Sequence, residues 1–560
     1  MRAGHEIKFI VLIPVIVFAI YLVLVPLVFL IWASFRSAPF GFPGELTWNN
    51  YIRAYNDSRT YILVTNTVSY AVCAAAISTA LGGTFAWLLE RTDIPLKATF
   101  YSLLIIPLAI PGVLFSIAWV LLLSPVIGIV NVAIKYLLGL SQAPINIYSF
   151  AGMSILEGIY LTPAAFLLMA AAFRSMDPSL EEASEVAGAG VFTTFNRVTA
   201  RILRPAIFAA LMYVLIAAME SFEIPGVIGL RKGIHVLATA IYLAKEESPP
   251  DYGLISTLSM LLLLLSVGLV ALYGKSTRLT ERFATVTGKG YRPKIIDIGI
   301  WKYPAAAFLV VYFTVTVVLP FFVLVWASIL PFYQPPSVNA LAHASLDNYR
   351  AVWSYPGVGK AILNTLAMVL LAPTIVMLMS AIIAWIVVRW RPKGSKLLDV
   401  VTFLPHAVPG VVVGVSLLWT YQIIPIPILG TMGILLIAYI TTRLPFGTRT
   451  MNAAMLQLHK ELEEVSYTSG ASWFQTFRHV VIPLLKPAFS NGWIFTAILV
   501  SKLVGTVIMI YSNQSVVVSL LVWELWSNGS IPETSTLGVM LISVLMFFVL
   551  IARRQGNKWV

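Results

Sequence analysis

Asp177 to Pro205 reads DPSLEEASEVAGAGVFTTFNRVTARILRP, and it returns, altered but ungapped, as HKELEEVSYTSGASWFQTFRHVVIPLLKP from His459 to Pro487. Leu180, Glu181, Glu182, Ser184, Gly188, Ala189, Phe195 and Pro205 align with Leu462, Glu463, Glu464, Ser466, Gly470, Ala471, Phe477 and Pro487 at one offset of 282. Each copy is a polar interlude between long apolar runs. In the first, Asp177 can cap a helix that has Pro178 in its first turn, and Ser179 with Glu182 offers an alternative capping box. Leu180, Ala183 and Ala187 recur at helical spacing, while Glu181, Glu182 and Glu185 occupy the polar side. Gly188 and Gly190 then break the helix, and a second short helix, Phe192 to Ile202, leads into Pro205. In the second copy Gly470 is the breaker, and Ser472 with Gln475 forms a capping box. Helix, glycine turn and helix make a compact protruding knob. Two knobs at matched positions are expected to be two docking points for something outside the membrane.

The membrane follows from composition. Charged residues are 11% of the chain and hydrophobic ones 59%, against roughly 25% charged in soluble domains. Several segments exceed about 18 mostly apolar residues, the length of a span. Twelve spans are expected, near 8–33, 60–89, 98–124, 147–173, 203–221 and 252–274, then 303–330, 361–388, 397–421, 429–452, 485–511 and 535–552. The run from Phe9 to Trp32 is longer than a signal-peptide core, has no clear small-residue cleavage site and reads as a retained first span. Val126–Leu140 reads as a short interfacial helix. The inner loops and tails hold 25 of the 37 Lys and Arg, densest from Lys275 to Lys302. That bias puts both termini and both knobs in the cytoplasm. It also accounts for the net charge of +13 without nucleic acid. The single cysteine, Cys73, excludes an intrachain disulfide and a cysteine-based metal site.

A second register of matches precedes the knobs. Asn50-Tyr51 pairs with Asn348-Tyr349, Asn66-Thr67 with Asn364-Thr365 and Trp87 with Trp385. Pro107 and Pro111-Gly112 pair with Pro405 and Pro409-Gly410, all at an offset of 298. The chain is therefore expected to be two tandem six-helix repeats, 1–290 (core about 60–274, knob 177–205) and 291–560 (core about 361–552, knob 459–487). An even number of spans per repeat makes the repeats parallel, with a pathway at the seam between them. The matched prolines are expected to interrupt helices. Gly112-x-x-x-Ser116 and Gly410-x-x-x-Gly414 suit close helix packing.

The knobs resemble the EAA loops of permease subunits from type I, binding-protein-dependent ABC importers, whose pattern is E-A-A, three residues, G, nine residues, I, then L-P. Glu182-Ala183-Ser184 with Gly188, and Glu464-Val465-Ser466 with Gly470, carry the resemblance. Both copies depart at the alanines. The closing motif is degenerate in Ile202-Leu203-Arg204-Pro205 and Ile482-Pro483-Leu484-Leu485. Two permease copies in one polypeptide resemble the ferric-iron and thiamine importers. The resemblance implies an all-α polytopic permease fold in a bacterial cytoplasmic membrane. It implies two copies of a cytoplasmic ATPase seated on the knobs through Glu181, Glu182, Ala183, Gly188, Glu463, Glu464, Val465 and Gly470. A periplasmic or extracellular solute-binding protein would dock on outer loops Ser34–Thr60, Phe222–Tyr252, Pro331–Lys360 and Tyr511–Ser535. By the same analogy the cargo is ferric iron, with thiamine, a phosphonate or another small organic ion as alternatives.

The chain is not expected to be an enzyme. The nearest approach to a phosphate-binding loop is Gly274-Lys275-Ser276, whose upstream glycine, Gly268, is one residue too far away. ATP and Mg would be used by the partner, with no cofactor on this chain and, among partners, only lipid besides the proteins. No His, Asp or Glu cluster has metal-ligand spacing. Glu220, Glu223 and Lys502 are the pathway candidates, since charges at membrane depth usually face a cavity or a partner. Glu220 and Lys502, equivalent at offset 282, are expected to meet as an ion pair across the pseudo-twofold axis. Arg443 is expected to serve carbonyls freed by Pro445, and His406 to be a hydrogen-bonded packing residue. An ion-gradient-driven secondary transporter can share such a duplicated architecture, but it gives no reason for two glycine-broken knobs.

Overall fold

A computed structural model describes residues 2–177, 179–283 and 295–556. Pro178 and the basic residues Lys289, Arg292 and Lys294 lie outside them. The described chain is all helix, and its only β pairing is two isolated bridges, Arg36↔Leu46 and Thr92↔Ile296. Among the described residues seven unbroken helices are long and apolar enough to cross a membrane, and four bent pairs raise the number to at most eleven, one fewer than expected. In the first half the helices are α1 (Arg2–Ser34), α2 (Ser58–Arg91), α3 (Lys97–Ile105), α4 (Gly112–Leu123), α5 (Phe150–Ser175), α6 (Ser179–Val186), α7 (Arg204–Glu220), α8 (Leu237–Glu246) and α9 (Tyr252–Phe283). In the second they are α10 (Gly299–Ser328), α11 (Val358–Trp390), α12 (Ser395–Phe403), α13 (Gly410–Ile423), α14 (Met432–Gln457), α15 (Glu461–Thr468), α16 (Ile482–Ser501), α17 (Val518–Ser527) and α18 (Ile531–Gly556). Arg443 and Arg449 lower the hydropathy of α14, which is not among the seven.

The matched prolines do break their spans. The residue before a proline is pushed out of helical geometry. Ile110 and Val408 are accordingly extended, with ψ of 126° and 114°. The chain bends by 97° before α4 and by 109° before α13. Glycine then permits close approach. A Cβ on Gly112 would press on Glu223, and one on Gly414 would overlap the Thr506 carbonyl.

The other matched residues are clamps. Asn50 donates to the Ser34 and Arg36 carbonyls, and Tyr51 to the Ser34 hydroxyl, closing the end of α1. Asn348 and Tyr349 do the same for α10 at Ser328 and Leu330. Thr67 accepts the Leu237 N–H at 2.9 Å and Asn66 donates to the His235 carbonyl at 3.0 Å, fixing the start of α8. Thr365 and Asn364 hold the start of α17 alike, through Val518 N–H and the Val516 carbonyl.

Those clamps correct one expectation. Phe222–Tyr252 is not an open loop: it holds two helical pieces bent by 73°, with Phe222 and Leu237 fully buried. Tyr511–Ser535 likewise contains α17, buried along most of its length. Val126–Leu140 does hold a short helix, Ile129–Leu138.

The first span of each half packs on the other half. Ala19 and Leu22 of α1 are buried among Met377, Trp385 and Leu444, and the Tyr21 hydroxyl donates to the Tyr421 hydroxyl at 3.2 Å. In return, Tyr312 of α10 donates to the Ile159 carbonyl at 3.1 Å and packs on Phe85. The start of α10 is tied to the end of α2 by Asp93, which accepts from Ile298 N–H and Lys302. The Ile298 N–H, with Lys302, holds the Asp93 carboxyl below the usual range. This tether is therefore intact at neutral pH and weakens only as pH falls through that lowered value.

Candidate functional site: the paired knobs and the charged seam

Each knob starts from a capped helix. Asp177 accepts the Ser179 N–H at 2.9 Å, so Asp177 rather than Ser179 caps α6. Gly188 and Gly470 sit at φ of +82° and +86°, the left-handed region where a side chain is strained. Ser472 and Gln475 form the expected capping box. In both knobs the second helix passes through one π-helical turn, Phe195–Thr199 and Phe477–Val481. A hydroxyl pair, Ser184 with Thr194 at 2.9 Å and Ser466 with Thr476 at 3.0 Å, ties the two helices of each knob together.

The first knob departs from the sequence reading: Leu180, Ala183 and Ala187 are exposed, and of the glutamates Glu182 is exposed as expected while Glu181 is not. Glu181 is buried, with one oxygen 3.4 Å from the Arg91 guanidinium and the other accepting from the Thr199 hydroxyl at 2.6 Å. Glu463 stands 2.8 Å from Arg389. Both arginines come from the end of the second span of their half, and both also donate to the end of the helix that precedes the knob. Arg91 reaches the Met176 carbonyl and Arg389 the Leu458 carbonyl. Open carbonyls at a helix C-terminus attract such cations. Each knob is thus latched to the membrane domain by an Arg–Glu pair, and Leu180, Ala183 and Val186 turn outward with Glu182. Leu462, Glu464 and Val465 do the same on the second knob. Sequence reading missed Arg91 and Arg389, although they are equivalent at the 298 offset.

The seam is charged unevenly. The first half contributes Glu157, Glu220 and Glu223, and the second Arg443 and Lys502. Glu157, a lone carboxylate in the middle of a span that the sequence pattern does not single out, is buried on α5 and accepts from the Tyr70 and Ser221 hydroxyls. The expected Glu220–Lys502 pair is not formed. Lys502 instead donates to the Leu108 carbonyl across the seam at 2.6 Å and lies over the Tyr160 ring. The break before Pro111 leaves that carbonyl without a helical partner, and an ammonium satisfies it. Glu220 Oε1 is buried without a hydrogen bond. Arg443 donates not to its own helix at Pro445 but to the Leu499 carbonyl in the last turn of α16. Glu220 and Glu223 both lie within its electrostatic reach. His406 stacks on Tyr213 of the first half, with ring centres 5.9 Å apart, and makes no hydrogen bond among those described.

Beyond this cluster the seam is filled. Phe222 and Tyr242 pack on Trp523, with ring centres 5.0 and 5.9 Å away. Lys245 donates to the Ile508 carbonyl at 2.9 Å. Among the described residues no three His, Cys, Asp or Glu converge to hold a metal.

Residues 78–274 and 377–555, one stretch in each half, match the family described as "binding-protein-dependent transport system inner membrane component". The ferric transport system permease protein FbpB of Actinobacillus pleuropneumoniae is 30% identical over 72% of this chain. The chain spans only 58% of that relative's length. Putative ferric transport system permease protein FbpB 1 of Haemophilus influenzae is 29% identical over 82% of this chain and 72% of its own length. Fe(3+)-transport system permease protein FbpB 2 of the same organism is 23% identical over 86% and 87%. With both halves matched and the twin glycine-turned knobs in place, the chain belongs to the inner membrane permeases of binding-protein-dependent transport systems.

Proposed function

We propose that residues 1–290 and 291–560 act as two permease units around one translocation pathway, driven by two copies of a separate ATPase that dock on the knobs. The observation that carries this reading is the exposed apolar side chains of α6 and α15. A helix that latches one glutamate to an arginine of the membrane domain and presents Leu180, Ala183 and Val186, or Leu462 and Val465, has its apolar face prepared for another protein. Glu182 and Glu464 then form the polar rim of each contact. The knob face of the membrane is the cytoplasmic one, and the opposite mouth receives cargo from a solute-binding protein. The packed aromatic plug of Phe222, Tyr242 and Trp523 supports a state closed on that outer side.

Ferric iron is the cargo we favour, because the relatives matched over most of the chain are named for ferric transport. Relatives named for sulfate and 2-aminoethylphosphonate transport make these the competing cargoes. The test is uptake into proteoliposomes containing the chain, its ATPase and its binding protein, with each cargo offered in turn. ATP-dependent accumulation of iron alone supports the reading, and uptake without the ATPase contradicts it.

Lys502 provides a narrower test. A charged hydrogen bond contributes about 1.5–3 kcal/mol, so Lys502→Met should loosen the seam at Leu108 and cut uptake roughly tenfold or more. Lys502→Glu should do worse, because it adds a fourth carboxylate beside Glu157, Glu220 and Glu223. Wild-type uptake by both variants would remove Lys502 from the mechanism.

A further inference from the structure

A crevice of about 1110 Å³ lies between α2, α5, the second helix of the first knob and the start of α10. It exists because α2 is cut back there. Thr79, Ala80, Gly83 and Thr84 line it, where the second half carries Met377, Leu378, Ala381 and Ile382 at the same register. Met377 is fully buried in a cluster that α1 helps to close.

The crevice opens past Ala76, Ala80 and Thr84, which are exposed on a membrane-crossing helix, so hydrocarbon lies outside it. An apolar space of this kind does not hold water, and left empty it forfeits the dispersion contacts of its whole lining. Trp87 and Trp301 line the knob-side end, the level at which tryptophan meets headgroups. Phe195, Ala200 and Leu203 of the knob complete the wall. The same segment carries Arg197, Arg201 and Arg204, all exposed and in no ion pair among the described residues. The second half has His479, Pro483 and Lys486 at these positions. The one carboxylate on the lining, Asp297, accepts the Gly299 N–H.

We infer that this crevice is a binding site for one anionic glycerophospholipid of the knob-side leaflet, an acyl chain lying along α2 and the phosphate meeting Arg197, Arg201 and Arg204. Basic residues on a segment that walls an interhelical pocket favour anionic headgroups nearby, each arginine by roughly fivefold. The site lies beside the first knob, is closed by the start of α10 from the second half, and does not depend on what the knobs bind.

A phosphatidylglycerol with a photoreactive acyl chain, incorporated into nanodiscs with the full chain, tests the assignment without any substitution. Label should concentrate in the peptides containing Ala76–Trp87 and Trp301–Phe308. Label spread evenly over the lipid-facing helices of both halves would overturn it. Phospholipid retained after detergent exchange gives the second measurement. The crevice-filling variant Thr79→Met/Ala80→Leu/Thr84→Ile should lose the retained lipid while staying monodisperse. Arg197→Gln/Arg201→Gln/Arg204→Gln should keep a lipid but lose the preference for phosphatidylglycerol over phosphatidylcholine. Undiminished phosphatidylglycerol in the filled variant contradicts the site, and an unchanged preference in the arginine variant contradicts the headgroup assignment.

Discussion

Arg91→Met should abolish uptake while the chain still reaches the membrane. The guanidinium is completely buried and faces Glu181, which is buried too. Taking one partner from a buried ion pair strands the other charge, at a cost of about 3–5 kcal/mol. The knob cannot unfold the spans, but it can leave its seat. Glu181 will pull into water, α6 will rotate, and the apolar face of Leu180 and Ala183 will no longer be presented. Arg389→Met should act on the second knob through Glu463 in the same way. The informative variant is the double replacement Arg91→Met/Glu181→Leu. Exchanging a buried pair for packed apolar groups is often neutral or stabilising, so this variant should recover knob protection in hydrogen exchange. Recovery of uptake with it would make the latch a device for holding register. Uptake by Arg91→Met at the wild-type level would show that the latch has no part in coupling.

The second large effect comes from the outward faces themselves. Leu180→Asp/Ala183→Asp on one knob, or Leu462→Asp/Val465→Asp on the other, changes exposed positions, where substitutions usually shift stability by less than about 0.5 kcal/mol. Folding should be untouched. Attachment of the ATPase should not survive, since burying an unpaired carboxylate in an apolar contact opposes binding by about 2 kcal/mol or more. Loss of uptake with normal thermal stability is the expected combination. Loss of both together would mean that these residues serve the fold.

Much of this was legible in the sequence, and the gaps have physical causes. The two offsets, 298 and 282, found the repeat, the broken spans and both knobs, because glycine turns, caps and prolines are local signals. The matched pairs Asn66-Thr67 and Asn364-Thr365 were visible as repeats but not as clamps, since their partners at His235 and Val516 are far away along the chain. The face of α6 was misassigned for the same reason. Periodicity assigns glutamates to water, and only a buried arginine from another helix reverses that. Lys502 was legible as a charge at membrane depth, yet its partner is a backbone carbonyl, which composition never shows. The packing of α1 and the start of α10 against the opposite half left no local trace at all.

The most direct test of a pathway driven through two knobs is the native mass of the complex with its ATPase, compared with that of a chain in which one knob face carries the aspartate pair. Two ATPase copies are expected on the wild-type chain, one when either face is altered, and none when both are. Two copies still bound to the doubly altered chain would contradict a pathway driven through the knobs.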